Sequence, residues 1–171
     1  MMIDYNAIMA LAAVVAILVA IITMWFESRR SRFSIGVDII LKLDSEFNNK
    51  YFKEIRKQAA VAFSSGDLSQ GSNAIDSILD FFEGIAFFAK CKAVDNKVVW
   101  HFFFSYMYRF WHLAYEYIKE ERNNDPTLWT AIIDLYPRLL RIERRERRRL
   151  NGYINLTERD LEKFLYEESV L

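Results

Sequence analysis

The chain has 171 residues, room for one compact domain and an appendage. Lys and Arg total 23 and so do Asp and Glu. The formal charge is therefore zero, which excludes a uniformly basic nucleic-acid binder and leaves only local patches to weigh. Five glycines, two prolines and a 16% aromatic share argue against disorder and for long helices.

The first predicted element is a membrane anchor. Residues 7–26 read AIMALAAVVAILVAIITMWF, without a charge, enough helix to span about 30 Å of hydrocarbon. A cleaved signal peptide does not fit: the leading MMIDYN has no Lys or Arg, and no small-x-small site precedes ESRRSR. Trp25 and Phe26 stand where interfacial aromatics belong. Only Asp4 precedes the span, whereas Arg29, Arg30 and Arg32 follow it. The positive-inside bias then places the N-terminus outside and the larger C-terminal part in the cytoplasm. Ala12, Ala16 and Ala20, followed by Thr23, form a small-residue face on which a second transmembrane helix can pack. Alanine is also common in membrane helices at large.

Residues 32–63 carry the period of one helix, with Val37, Ile40, Leu41, Phe47, Tyr51, Ile55, Ala59 and Ala62 on its apolar face and Gly36 as a candidate break. SSGDLSQGSN, residues 64–73, reads as the clearest loop. A second helix over 73–92 has the core stripe Ile75, Ile78, Leu79, Phe82, Ile85, Ala86 and Ala89. Cys91 closes that run. A single thiol cannot build a disulfide framework or a zinc site, and its apolar neighbourhood predicts a packed side chain.

Asp95 is a candidate N-cap for a third helix over 96–122. Asp125-Pro126 signals the start of a fourth, running to about Leu150 with a kink at Pro137 and a stop at Asn151-Gly152. Thr157 caps a short last helix whose first turn holds Glu158 and Asp160. No strand alternation or repeat interrupts the series.

The third helix contains WHFFFSYMYRFWHLAYEY, residues 100–117. Helical spacing gathers His101, Ser105, Arg109, His112, Glu116 and Glu120 on one strip. Phe103, Phe104, Met107, Trp111, Leu113, Ala114 and Ile118 fall on the other faces. So many polar groups exclude a second membrane span. The rings are expected to be mainly core, any surplus docking a partner or the membrane surface.

Chemistry-bearing residues are few. His101 and His112 lie eleven residues apart, about 16 Å along a helix, too far to share one metal. Glu83, in ILDFFEGIAFF, and Arg109 are placed to pair across two helices and fix their register. PRLLRIERRERRRL, residues 137–150, holds seven arginines. Interleaved Glu143 and Glu146 allow pairs such as Glu143–Arg147, a solvated helix end. The sharper reading is an anionic-lipid patch of Arg144, Arg145, Arg147, Arg148 and Arg149, with nucleic acid the weaker case. No phosphate-loop, dinucleotide, zinc-protease, nucleophile-elbow or EF-hand motif occurs.

The order of parts resembles a known family. A short span ending at Trp25 with an arginine cluster is followed by ILDFFEGIAFFAKCKAVDNKVVW and then YRFWHLAYEYIKEER. Over residues 7–122 this looks like a family of small prokaryotic membrane-anchored proteins known only as a domain of unknown function. The resemblance implies a bacterial helical protein on the inner membrane and carries over no functional residues.

The expected architecture is all-α. Residues 1–31 form the N-terminal segment, the single transmembrane helix and its basic flank. Residues 32–171 form a cytoplasmic bundle of about four main helices plus a short C-terminal one. The expected role is non-catalytic, without cofactor or metal: an accessory subunit or scaffold binding other transmembrane helices, as a homo-oligomer or in a larger complex. The alternative is a membrane-anchored enzyme or small-ligand sensor with a polar site near Glu83, Arg109 and His112.

Overall fold

The computed structural model describes residues 5–149 and 156–171. Within the first helix it describes the side chains of Met9, 15–28, 30, 31 and Phe33 onward. Among the described residues the chain is all-helical: α1 (Tyr5–Phe47), α2 (Lys50–Ser65), α3 (Leu68–Lys90), α4 (Asn96–Asn124), α5 (Thr130–Arg149) and α6 (Glu158–Ser169). Among these residues no helix is long and apolar enough to cross a membrane. Of the apolar run 7–26, the described side chains are continuous only over 15–26, about 18 Å of helix.

The helix expected over 32–63 is two helices. Asn48 and Asn49 divide it. The Asn48 Nδ2 donates to the Asp44 carbonyl at 2.9 Å, and the extended Asn49 caps α2, its Oδ1 accepting from the Phe52 N–H at 2.7 Å. Leu41 and Tyr51, expected on the core face, are exposed, while Phe52 and Arg56 are buried. Gly36 breaks nothing, since α1 passes straight through it. A Cβ there would meet the Ala93 carbonyl oxygen at 2.7 Å. The glycine lets α1 lie directly on the turn between α3 and α4.

The loop expected at 64–73 shrinks to Gly66 and Asp67, because α3 begins at Leu68. Gly66 takes the left-handed conformation that ends α2 (φ 73°). Gly71 lies inside α3, where a Cβ would come within 2.2 Å of the Ala62 Cβ. Its small size is a close helix crossing, not a loop signal. The α3 stripe is buried as expected, and so are Phe103, Phe104, Met107, Ala114 and Ile118 of α4. Phe110 and Tyr117 join them. Trp111 and Leu113 are only partly buried against this core. Cys91 is exposed rather than packed.

Asp95 caps α4 as expected, accepting from the Lys97 N–H at 2.7 Å. Asp125 does not cap α5. It accepts from Thr127 N–H and Oγ1, closing a turn, and α5 starts at Thr130. The helix continues through Pro137. Leu150 and the Asn151-Gly152 stop lie outside the described residues. Thr157 opens α6 with a full capping box to Asp160. The Thr157 hydroxyl and amide hold the Asp160 carboxyl below its ordinary pKa.

Rings from four helices fill the centre. Phe47, fully buried, sits within 6 Å of Phe52, Phe81, Phe82, Phe103 and Tyr106. The Arg56 guanidinium lies over Phe47 at 4.3 Å and near Tyr106 at 5.3 Å. Helix α6 closes this end with Phe164, which contacts Phe110 and Tyr106, and with Glu168 beside Arg56.

Candidate functional site

Three carboxylates on one side of α3 secure α4 and α5. Positions 76, 80 and 83 are spaced four and three, so they share a helix face. Asp76 accepts from the Tyr117 hydroxyl at 2.8 Å, and Asp80 from Trp129 Nε1 at 2.9 Å. Glu83 accepts from the N–H groups of Ala131 and Ile132, both at 2.8 Å, which satisfies two orphan donors at the start of α5. Trp129 is buried and held at φ 50°, a strained conformation that its bond to Asp80 helps to fix. Burial and the Asp76 carboxylate push the Tyr117 hydroxyl well above its ordinary pKa.

This corrects the expected Glu83–Arg109 pair. Glu83 is committed to α5, and no ion pair joins the two among the described residues. Arg109 Nη1 donates to Ser105 Oγ at 2.6 Å, and its guanidinium faces the Phe164 ring at 5.2 Å. His112 is exposed, against the Tyr108 ring at 4.8 Å. The three groups of the enzyme-or-sensor alternative therefore do not converge. No cluster of three or more metal-ligating side chains occurs among the described residues.

Arg109 instead lines a cleft of about 490 Å³ between α4, the end of α5 and α6, with Trp100, His101, Arg147, Asp160 and Lys163. Its floor is internally satisfied. Glu143 accepts from Trp100 Nε1 at 2.6 Å and pairs with Arg147, as the sequence spacing anticipates.

The α5 arginines divide between faces. Arg147 pairs with Glu143 and Arg149 with Glu146 at 3.2 Å, so two of the five proposed lipid contacts are engaged. Arg144, Arg145 and Arg148 are exposed, without ion pairs among the described residues. Arg145 shares a face with Arg138 and Arg141, at spacings of three and four, and these three border a shallow depression beside Asn96.

Arg138 also reaches a larger groove, about 810 Å³, that sequence reading misses. Its walls are α1 (Phe26, Arg30, Phe33), the turn after α3 (Lys92, Ala93), the start of α4 (Asn96, Val98) and Arg138 in the middle of α5. Gly36 brings the first two walls together. Lys92 has φ 58° at the position after the α3 C-cap. Its N–H donates to the Ala89 carbonyl at 3.1 Å and the Ala93 N–H to Phe88 at 3.0 Å, the Schellman pattern that usually places glycine there. Lys90, beside it, pairs with Asp134 at 3.7 Å. No periodicity in the sequence joins Arg30, Lys92 and Arg138, so only the fold reveals the cluster.

Over residues 15–26, α1 carries a row of exposed apolar side chains. Val15, Ile17, Leu18, Val19, Ile21, Ile22, Met24, Trp25 and Phe26 are each more than half exposed. Ala16 and Ala20 are exposed beside them, and the Ala12 side chain lies outside the described residues. Thr23 Oγ1 donates to the Val19 carbonyl at 2.9 Å, so its hydroxyl is satisfied within the helix.

A family model described as "Domain of unknown function (DUF4760)" matches residues 10–139, and the chain belongs to that family. The match runs from the apolar half of α1 through Leu139, and takes in the carboxylate face of α3 and the walls of the groove. No curated protein matches the chain, and no solved structure does.

Proposed function

We propose that this member of the DUF4760 family is a non-catalytic, single-pass membrane protein, an accessory subunit or scaffold that binds other membrane proteins. One observation carries the reading: from Val15 to Phe26, large apolar side chains on every side of α1 are each more than half exposed. Nine large apolar side chains left in water would be a severe liability, while lipid or partner helices would cover them. The sequence extends the uncharged run to residues 7–26, the length a bilayer core asks of a helix. The internal hydrogen bond of Thr23 suits the same surroundings.

Residues 1–31 then serve as anchor and residues 32–171 as the working domain. On this reading the protein belongs to the inner membrane of a bacterial cell, and the arginines after Phe26 favour a cytoplasmic domain with the N-terminus outside. The face of Ala16 and Ala20 is where a second transmembrane helix would approach.

Carbonate extraction of membranes from cells expressing the full chain tests the anchor. The chain should stay in the pellet, and release into the supernatant would overturn the reading. A periplasm-dependent reporter fused after Leu171 should be silent. Ala16→Ile should reduce recovery of co-purifying chains more than Val15→Ile, because a branched side chain on the small-residue face separates the helices.

A further inference from the structure

We propose that the groove between α1, the turn that joins α3 to α4, and Arg138 of α5 binds the phosphate headgroup of an anionic phospholipid. The inference rests on the membrane reading above and assigns a lipid-binding site to the domain that leaves the bilayer.

Four observations converge. The groove opens beside Phe26, the last residue of the apolar run, so it lies where headgroups would meet the helix. Its cations Arg30, Lys92 and Arg138 come from three separate elements, and none of them is in an ion pair among the described residues. Asp95 also lines the groove and keeps its charge while it accepts from the Lys97 N–H, so the three cations outnumber it, and Asp134 of α5 pairs with Lys90. Exposed Phe26 and Phe33 supply an apolar side for the start of an acyl chain.

Lys92 sharpens the case. Its left-handed backbone is one that glycine adopts without steric penalty. A lysine held there against conformational preference indicates a use for its ammonium group. The groove continues along α5 through Arg141 and Arg145, which extend the same positive field over a neighbouring headgroup. Three cations of different reach suit a phosphate with its spread of acceptor oxygens.

The test uses the full chain with vesicles of phosphatidylglycerol or phosphatidylcholine, followed by native mass spectrometry of lipid retained after mild detergent extraction. Retention of phosphatidylglycerol should exceed that of phosphatidylcholine. Lys92→Gly and Arg138→Gln should each reduce that preference about fivefold, the effect of one cation near an anionic surface. Lys92→Gly should do so without lowering the melting temperature, since glycine suits φ 58°. Arg144→Gln, outside the groove, should change the preference less. Equal retention of both lipids, or a preference untouched by both groove variants, overturns the site while the anchor stands. If the chain does not float with vesicles of either lipid on a density gradient, both the site and the anchor are overturned. Displacement of the lipid by an equal concentration of soluble glycerol phosphate would make this a free phosphate-ester site and overturn the lipid assignment.

Discussion

Arg56 Nε lies 3.1 Å from the Glu168 Oε2, with both side chains almost sealed from solvent. The contact lacks hydrogen-bond geometry. Charge and the faces of Phe47 and Tyr106 hold the guanidinium. Removing Glu168 alone strands a buried cation and should cost about 3–5 kcal/mol, whereas Arg56→Met with Glu168→Leu should be far closer to neutral. Chemical denaturation of Glu168→Leu, Arg56→Met and the double variant in detergent would measure this. Additive losses would mean the pair is not coupled.

The same carboxyl gives a pH dependence of definite sign. Burial raises the Glu168 pKa above the usual 4.5, against the pull of Arg56. The folded state then holds the proton more tightly than the unfolded chain. This contribution is complete below the unfolded value and is lost as pH rises through the folded one. Glu168→Gln should flatten the decline in stability above pH 4.5 that belongs to this group. A variant whose curve parallels the parent across that window would remove Glu168 as its source.

Glu83 and Arg109 separate by mutation. Glu83→Ala leaves the Ala131 and Ile132 amides without their acceptor and should cost roughly 1–3 kcal/mol. Glu83→Gln keeps one acceptor oxygen and should cost less. A double-mutant cycle of Glu83→Ala with Arg109→Ala should show coupling below about 0.5 kcal/mol, as expected of sites that share no partner. Strong coupling would restore the pair that the sequence suggests.

These cases show what the sequence discloses. The α3 stripe, the Asp95 and Thr157 caps and the arrangement of α4 follow from local period and capping, which a sequence carries directly. The partner of Glu83 is forty-eight residues away and is a backbone amide, so no side-chain pattern advertises it. The α1–α2 break was present as Asn48-Asn49, overridden by an apolar rhythm that runs on either side. Gly36 and Gly71 read as punctuation until their neighbours Ala93 and Ala62 are in place. The groove at Lys92 needs three elements folded together before its charges meet.

The aromatic stretch can be ranked ring by ring. Phe103 is fully buried, and Phe103→Ala should cost about 3–5 kcal/mol through lost contacts and a cavity. Trp111 is partly exposed and stacks on Tyr136 at 4.6 Å with the planes 19° apart. Trp111→Ala should cost less than Phe103→Ala, about 1–2 kcal/mol of stacking and partial burial. Thermal melts of the two variants would rank them. A larger loss at Trp111 would return that ring to the core.

The final prediction concerns Gly36 and how α1 is joined to the bundle. An added Cβ would stand 2.7 Å from the Ala93 carbonyl oxygen and 3.5 Å from the Val94 Cα, both backbone atoms. Ala93 cannot retreat freely, because its N–H is bonded to the Phe88 carbonyl in the α3 cap. Alanine favours a helix by about 1 kcal/mol over glycine, so at an open position Gly36→Ala should stabilise. Here overpacking should outweigh that gain by about 1–3 kcal/mol and lift α1 from the turn. Two readouts distinguish this from a general loss of fold. Limited proteolysis should cut first between residues 27 and 47, before the α3–α5 core opens. Gly84→Ala in α3, where an added Cβ meets nothing within 4 Å, should raise the melting temperature. If Gly36→Ala stabilised the chain as Gly84→Ala does, α1 would not be seated on the Ala93 turn.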